Sequence, residues 1–171
     1  PAALPRLAIR PDFAKFGTTD LISQFGSAWP DLLESAQRAA LGSVDSPVGR
    51  ILVAYAEEDA VGAPSLEESL EAVVKFGWDG LLIDTARKNG GRLFDLQSSE
   101  RLGAIRRRCE REGVRFALAG RLTLDDIERV VDLRADIVGV RSAACLHGDR
   151  GQSISHDGIV ALRQRLDASR R

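Results

Sequence analysis

Five short and mostly apolar runs alternate along the chain with longer segments that have a helical period. The runs are Phe13–Phe16, Ile51–Tyr55, Leu81–Asp84, Phe116–Ala119 and Ile137–Val140. Nearly continuous apolar runs are expected of strands that are buried on both faces, and their alternation with helices is typical of parallel βα units. No linker or low-complexity tract interrupts the pattern, so residues 1–171 are predicted to form one domain.

The intervening segments carry recognisable helix boundaries. Ser65 and Glu68 have the spacing of a capping box, and Thr123 with Asp126 has the same spacing. A glycine that follows a periodic segment, as Gly113 does, marks the end of a helix. The predicted helices are Asp31–Leu41, one that begins at Ser65, one from Ser98 or Ser99 to Gly113, one that begins at Thr123, and Asp157–Leu166.

Repeated strand–helix units leave two architectures, an open doubly wound sheet and part of a barrel. Lys15, Tyr55, Asp84 and Arg141 are each placed at or just beyond the end of a different predicted strand. Barrels collect functional residues from several strand ends in this way, whereas open sheets concentrate them at one switch point. The chain also lacks the glycine-rich motifs of nucleotide-binding sheets. We therefore predict an α/β fold, a TIM (β/α)₈ barrel of which this chain supplies about the last five βα units.

Composition narrows the possible partners. The formal net charge is −1, which gives no electrostatic footprint for nucleic acid. No apolar run approaches the roughly 20 residues of a membrane span. Cys109 and Cys145 have no spacing that suggests zinc or a disulfide framework. We expect a cytoplasmic protein in a reduced setting, with no metal, no cofactor, no nucleic-acid partner and no membrane partner.

The segment Asp84–Asp95 carries the strongest chemical signal. Lys88 follows the strand and lies close to Asp84 in sequence. Such a lysine can form a Schiff base or act as a general acid, and the carboxylate can orient it or shuttle protons. Gly90 and Gly91 allow the backbone to turn sharply and approach a ligand. The same residues also fit an ordinary turn with no chemical role.

Lys15 stands between two phenylalanines inside a predicted strand. Lysine is depleted in strands and costly to bury, so this position predicts a partner or a function. The alternative is an exposed edge strand that its lysine protects from pairing.

The loops after the last two strands contain residues suited to binding phosphate. Barrels commonly bind phosphate with backbone amides after strands seven and eight, assisted by a helix N-terminus. Gly120 with Arg121, and Gly148 with Arg150, are the candidate residues. His147 is interpreted as a solvated loop residue.

Four segments together resemble the (5-formylfuran-3-yl)methyl phosphate synthase family. The resemblance extends from Phe13 to Leu166, and its most specific part is Asp84–Asp95. The other segments are Phe-Ala-Lys-Phe-Gly at 13–17, Leu-Ala-Gly-Arg-Leu at 118–122 and Val-Gly-Val-Arg-Ser-Ala-Ala-Cys at 138–145.

This resemblance implies a TIM barrel that joins two glyceraldehyde 3-phosphate molecules, with loss of phosphate and water, in the biosynthesis of methanofuran-type cofactors. It implies catalytic roles for Lys15, Asp84 and Lys88. It also implies that Gly120, Arg141 and Gly148 lie near a phosphate, so that the partner is a small phosphorylated aldehyde.

The chain departs from the family in two respects. The family begins with about three further βα units, one of which carries an Asp-x-Lys motif with the Schiff-base lysine, so we expect this chain to correspond to the family from just before strand four. Arg121 stands where a small residue is expected. The remaining alternatives are a shortened non-catalytic relative that binds a phosphorylated metabolite or a partner, and another Schiff-base aldolase-type barrel. We expect a homo-oligomer, or association with the absent N-terminal barrel segment.

Overall fold

The fold is a parallel sheet whose strands follow the order of the chain. The computed structural model describes residues 11–41, 48–87, 89–149 and 151–169. In this part of the chain the sheet has five strands in the order β1-β2-β3-β4-β5, and every neighbouring pair is parallel. The strands are β1 Phe13–Gly17, β2 Gly49–Tyr55, β3 Gly80–Asp84, β4 Arg115–Leu118 and β5 Ile137–Val138. The predicted strands and their sequential order are confirmed.

Seven α-helices occur within the described ranges. They are α1 Leu21–Phe25, α2 Trp29–Leu41, α3 Leu66–Phe76, α4 Leu93–Leu96, α5 Ser99–Glu112, α6 Ile127–Asp132 and α7 His156–Ala168. No helix among the described residues is long and apolar enough to cross a membrane.

Local sequence signals determine where the longer helices begin and end. The Ser65 side chain accepts the backbone N–H of Glu68, while the Glu68 carboxylate accepts that of Ser65, so the predicted capping box is present at α3. Ser98 caps α5, and Gly113 ends it in the left-handed conformation that glycine adopts without strain. The predicted start of α3 and the predicted limits of α5 are thus confirmed. Helix α2 begins at Trp29, two residues before the predicted start, and α7 ends at Ala168, two residues after the predicted end.

Two further predicted elements, the helix after Thr123 and the last strand, differ more clearly from the structure. The segment after Thr123 begins as a 3₁₀ turn, Leu124–Asp126, before it continues as α6. β5 has two residues and not the predicted four. β4 ends at Leu118, so no strand residue beyond it is available to pair with residues after Val138. The Gly139 N–H still donates to the Leu118 carbonyl at 2.8 Å, so the chain stays beside β4 for one more residue.

The two faces of the sheet are covered differently. Alternate strand residues such as Leu52, Ile83 and Phe116 are buried with side chains from α2, α3, α5 and α6 in the main core. The opposite positions form a smaller cluster that contains strand residues alone: Ile51, Val53, Leu82 and Ala117. We call the positions on this second side the inner face. Helices on one face and an unbroken strand order are the arrangement of a barrel wall, whereas a doubly wound sheet has helices on both faces and a switch point.

The first and last strands form the edges of the described sheet. On the inner face, Phe13 of β1 and Ile137 of β5 are 36% and 40% exposed, whereas the central positions between them are buried. Exposed strand edges with apolar side chains pair readily with other chains, and a barrel avoids this only by closing.

We therefore expect a protein limited to residues 1–171 to associate through its edge strands. Sedimentation at micromolar concentration should give a dimer or a larger species. Ile137→Lys should shift the protein toward monomer, because a lysine at an edge opposes strand pairing. Ile154→Lys, at a 70% exposed position outside the sheet, serves as the control and should have no effect. A stable monomer before substitution would contradict this prediction.

Candidate active site

Tyr55 and Asp84 are neighbours at the C-terminal ends of β2 and β3. The sheet register pairs them directly, and both belong to the inner face. The backbone continues this pairing, since the Ala56 N–H donates to the Asp84 carbonyl at 2.8 Å. Asp84 is half-buried, and its Oδ1 accepts the N–H of Thr85 at 2.7 Å. The carboxylate is therefore oriented by its own strand end.

Lys15 lies on the same face but lower along its strand. It pairs with Ile51, and its side chain is exposed. The prediction placed Lys15 at the end of a strand, whereas it is the central residue of β1, because this strand extends to Gly17. In the register Lys15 aligns with Gly80, four residues before Asp84, which is roughly 13 Å along the strand direction. The four-carbon stem of lysine is flexible and can extend along the face toward the strand ends.

Glu57 fixes the start of the loop that follows β3. Its Oε2 accepts the N–H of Ala86 at 3.0 Å, and its Oε1 accepts that of Arg87 at 3.2 Å. The Arg87 guanidinium in turn donates to the Ala60 carbonyl in the loop after β2. A single half-buried carboxylate thus ties the loop after β2 to the residues that immediately precede Lys88 in the sequence. No motif or periodicity in the sequence indicates Glu57, because the contact joins residues about thirty positions apart.

Gly120 and Arg121 hold the same loop from the side of β4. The Gly120 carbonyl accepts the N–H of Leu93 at 3.0 Å, and Arg121 donates to the carbonyl of Gly90. Gly120 has φ +106°, and a Cβ there would lie 2.9 Å from the Thr85 methyl carbon. Only glycine fits this position without strain. The structure therefore shows both residues supporting the loop, and their role in binding phosphate stays a prediction.

The C-terminal end of the loop after β3 is held by an ion pair between Arg92 and Asp95. The Arg92 N–H and guanidinium both bond the Asp95 carboxylate, and these contacts hold the pKa of Asp95 below its ordinary value. The Arg92 guanidinium also lies 3.7 Å from the buried carboxylate of Asp126, which caps the turn at Thr123. The conspicuous Arg-Leu-Phe-Asp sequence at 92–95 is thus used to anchor the loop.

A separate cavity of about 460 Å³ lies between the loop after β5, the turn at residues 123–125 and the start of α7. Gly148 lines it together with Ser142, His147 and residues at the start of α7. Gly148 adopts φ +69°, a conformation that favours glycine. Arg141 is exposed and precedes the Ser142–Ala144 turn. His147 is exposed, as expected of a solvated loop residue. Of the predicted phosphate-binding residues that the structure describes, Gly148 lines this cavity and Gly120, Arg121 and Arg141 do not, so phosphate binding there stays a prediction.

Two of the candidate residues, Lys88 and Arg150, lie outside the described residues. Within the described ranges, no three His, Cys, Asp or Glu side chains are grouped as they would be around a metal ion. Both cysteines are buried and unpaired, and burial raises the pKa of the Cys109 thiol to about 12, so this residue serves packing.

These features define a class of protein: a parallel βα sheet with helices on one face and polar side chains at the strand ends of the other. Comparison with known sequences identifies the family within this class. The profile of the 4-HFC-P synthase family matches residues 2–163, and the chain belongs to this family.

The chain is also similar to curated proteins named (5-formylfuran-3-yl)methyl phosphate synthase. It is 38% identical to the protein of Methanopyrus kandleri over 110 residues, which cover 64% of this chain and 46% of that protein. It is 31% identical to the Methanothermobacter thermautotrophicus protein over 139 residues, 81% of this chain and 58% of the relative. For a Methanococcus maripaludis protein the identity is 32% over 135 residues, 78% and 57% of the two chains. The matches thus span about half the length of these relatives.

The role of Glu57 can be tested with Glu57→Gln. The amide keeps one acceptor oxygen but turns an NH₂ group toward the second N–H donor, so one of the two loop contacts is lost. We expect a loss of about 1 kcal/mol of local stability, and therefore roughly fivefold faster hydrogen exchange at Ala86 or Arg87. The matched control is Asp59→Asn, at an exposed carboxylate of the same loop. Unchanged exchange at both amides would show that Glu57 does not hold the loop.

Proposed function

We propose that the protein containing this chain condenses two glyceraldehyde 3-phosphate molecules into (5-formylfuran-3-yl)methyl phosphate, with loss of phosphate and water, for the biosynthesis of a methanofuran-type cofactor. Membership of the family, over nearly all of the chain, supports this activity. The observation that carries the proposal is the position of Asp84, at a strand end on the inner face, which none of the described helices covers. In barrels this end of the strands is where catalytic residues collect.

The proposed site uses lysines as ammonium groups and aspartate as a proton acceptor. Joining two aldehydes requires that a proton leave the carbon next to one carbonyl and that the resulting negative charge be stabilised. A Schiff base or a nearby ammonium group provides the stabilisation, and a carboxylate takes the proton. Because the family resemblance places the Schiff-base lysine in a preceding βα unit, we assign the ammonium role to Lys15 and Lys88 and the carboxylate role to Asp84. Gly120, Arg121, Arg141, Gly148 and Arg150 are proposed to bind the phosphate groups.

The use of lysine in this chain supports the assignment. Of its 24 Lys and Arg residues, three are lysine: Lys15, Lys75 and Lys88. Arginine stays protonated in proteins, so it supplies surface charge but cannot form a Schiff base or exchange a proton. Lys75 has an evident structural partner, since its Nζ lies 2.9 Å from the Asp31 carboxylate on the exposed surface of the helices. The other two lysines are the ones assigned to the reaction.

We also propose that the sheet is part of a closed (β/α)₈ barrel. The curated relatives are about twice as long as the matched region, which is long enough for the further strands of such a barrel. Parallel strands in sequential order with helices on one side support this architecture. The remaining strands would cover Phe13 and Ile137 at the two edges and complete the inner layers of side chains.

Lysine-to-arginine substitutions in the complete protein test the proposed chemistry directly. Lys88→Arg and Lys15→Arg keep the positive charge but remove the group that can exchange a proton, so the rate of product formation should fall by about 100-fold or more. Lys75→Arg is the control, and its rate should be unchanged because its ion pair with Asp31 needs only charge. The furan product is measured by mass spectrometry with glyceraldehyde 3-phosphate as substrate.

The outcomes separate the alternatives. If the unsubstituted protein binds glyceraldehyde 3-phosphate but makes no furan, a non-catalytic relative is the correct description. If Lys88→Arg retains full activity, the assignment of Lys88 is wrong, although the reaction itself stands.

A further inference from the structure

The side chain of Tyr55 reaches from β2 toward β1, where its hydroxyl occupies the space over Gly17. Its ring packs at the rim of the inner-face cluster, above Ile51 and Val53. Its hydroxyl oxygen reaches across to β1 and lies 2.8 Å from the point where a Cβ on Gly17 would stand. Any side chain at position 17 would therefore displace the phenol. The absence of a side chain on Gly17 leaves the space that the hydroxyl uses.

The phenol thus lies between the two strands that carry the assigned groups. Tyr55 is the register partner of Asp84 on one side, and its hydroxyl lies over the end of β1, two residues beyond Lys15, on the other. All three side chains belong to the same face of the sheet. A small ligand that contacted both Lys15 and Asp84 would have to pass the Tyr55 hydroxyl.

The hydroxyl is available for such a contact. Tyr55 is half-buried, and in the part of the chain that the structure describes its hydroxyl makes no hydrogen bond to protein. A phenol that is buried for packing normally finds a protein partner for its O–H. Here the apolar ring is packed against the inner-face cluster, and the polar tip lies over Gly17 at the end of β1.

We infer that Tyr55 is a substrate-contacting residue, whose hydroxyl donates a hydrogen bond to an oxygen atom of a small phosphorylated aldehyde bound at the ends of β1, β2 and β3. This inference rests on the proposed function for the identity of the ligand, but its geometry does not depend on the reaction. Gly17 has the supporting role of keeping the space for the phenol open.

A double-mutant cycle in the complete protein tests the contact through catalysis. Tyr55→Phe removes the donor and should lower kcat/KM for glyceraldehyde 3-phosphate by about 10- to 100-fold, the range for a hydrogen bond to a charged or developing negative oxygen. The unfolding temperature should stay the same, because within the described ranges no protein group forms a hydrogen bond with the hydroxyl.

Gly17→Ala should cause a comparable loss while Tyr55 is present, because the added methyl group displaces the hydroxyl. In the Tyr55→Phe background it should cause little further loss, since the nearest remaining ring atom, Cζ, lies 3.7 Å away, an ordinary contact distance. Additive losses would mean that Gly17 acts independently of the phenol, and an unchanged kcat/KM in Tyr55→Phe would overturn the inference.

A binding measurement keeps the inference separate from the proposed reaction. Tyr55 is the only tyrosine among the 171 residues, so its ring ¹³Cζ signal in labelled protein is assigned by its loss in Tyr55→Phe. Glyceraldehyde 3-phosphate should shift this signal, whereas inorganic phosphate alone should shift it less. A shift without furan formation would retain the contact and refute the reaction. Furan formation without a shift would retain the reaction and refute the contact.

Discussion

The alternation of side chains along parallel strands is the constraint on which the site depends. Successive residues of a strand point to opposite faces, so one register decides the surroundings of every residue in the sheet. The register that buries Leu52, Ile83 and Phe116 beneath the helices sends Lys15 and Asp84 to the inner face. The same strand register therefore determines both the packing of the hydrophobic core and the placement of the polar groups.

Contacts from neighbouring loops fix the backbone of the loop after β3. Three chain segments hold it: Glu57 from the loop after β2, Gly120 and Arg121 from the loop after β4, and Asp95 at its far end. None of these contacts buries a large apolar surface. Their effect is to fix the backbone on both sides of position 88, which is what a functional group on a loop requires if it is to act in one geometry.

Local patterns made much of the fold predictable. Runs of apolar residues located all five strands, and the capping residues Ser65 and Ser98 located the starts of α3 and α5. Strand order also followed, because consecutive parallel βα units usually pack beside one another. The predicted length of β5 was wrong because the pairing of a strand stops where its neighbour ends. The residues Gly139 and Val140 do not indicate where β4 ends.

The contacts that shape the site were not predictable in the same way. Glu57 bonds backbone groups about thirty residues away, and Gly17 owes its importance to a phenol on another strand. Such pairs leave no periodic or motif signal in one sequence. The resemblance to a family drew attention to Asp84 and Lys88, whereas Glu57 and the contact between Tyr55 and Gly17 became visible only once the register was known.

The central claim is that a triose phosphate binds on the inner face, at the ends of β1, β2 and β3. A crystal structure of the complete protein with glyceraldehyde 3-phosphate tests this most directly. The account predicts ligand density within hydrogen-bond distance of the Asp84 carboxylate and the Tyr55 hydroxyl, with the Lys15 amine turned toward it. Density at the opposite ends of the strands or on the helix side of the sheet, with these strand ends unoccupied, would contradict it.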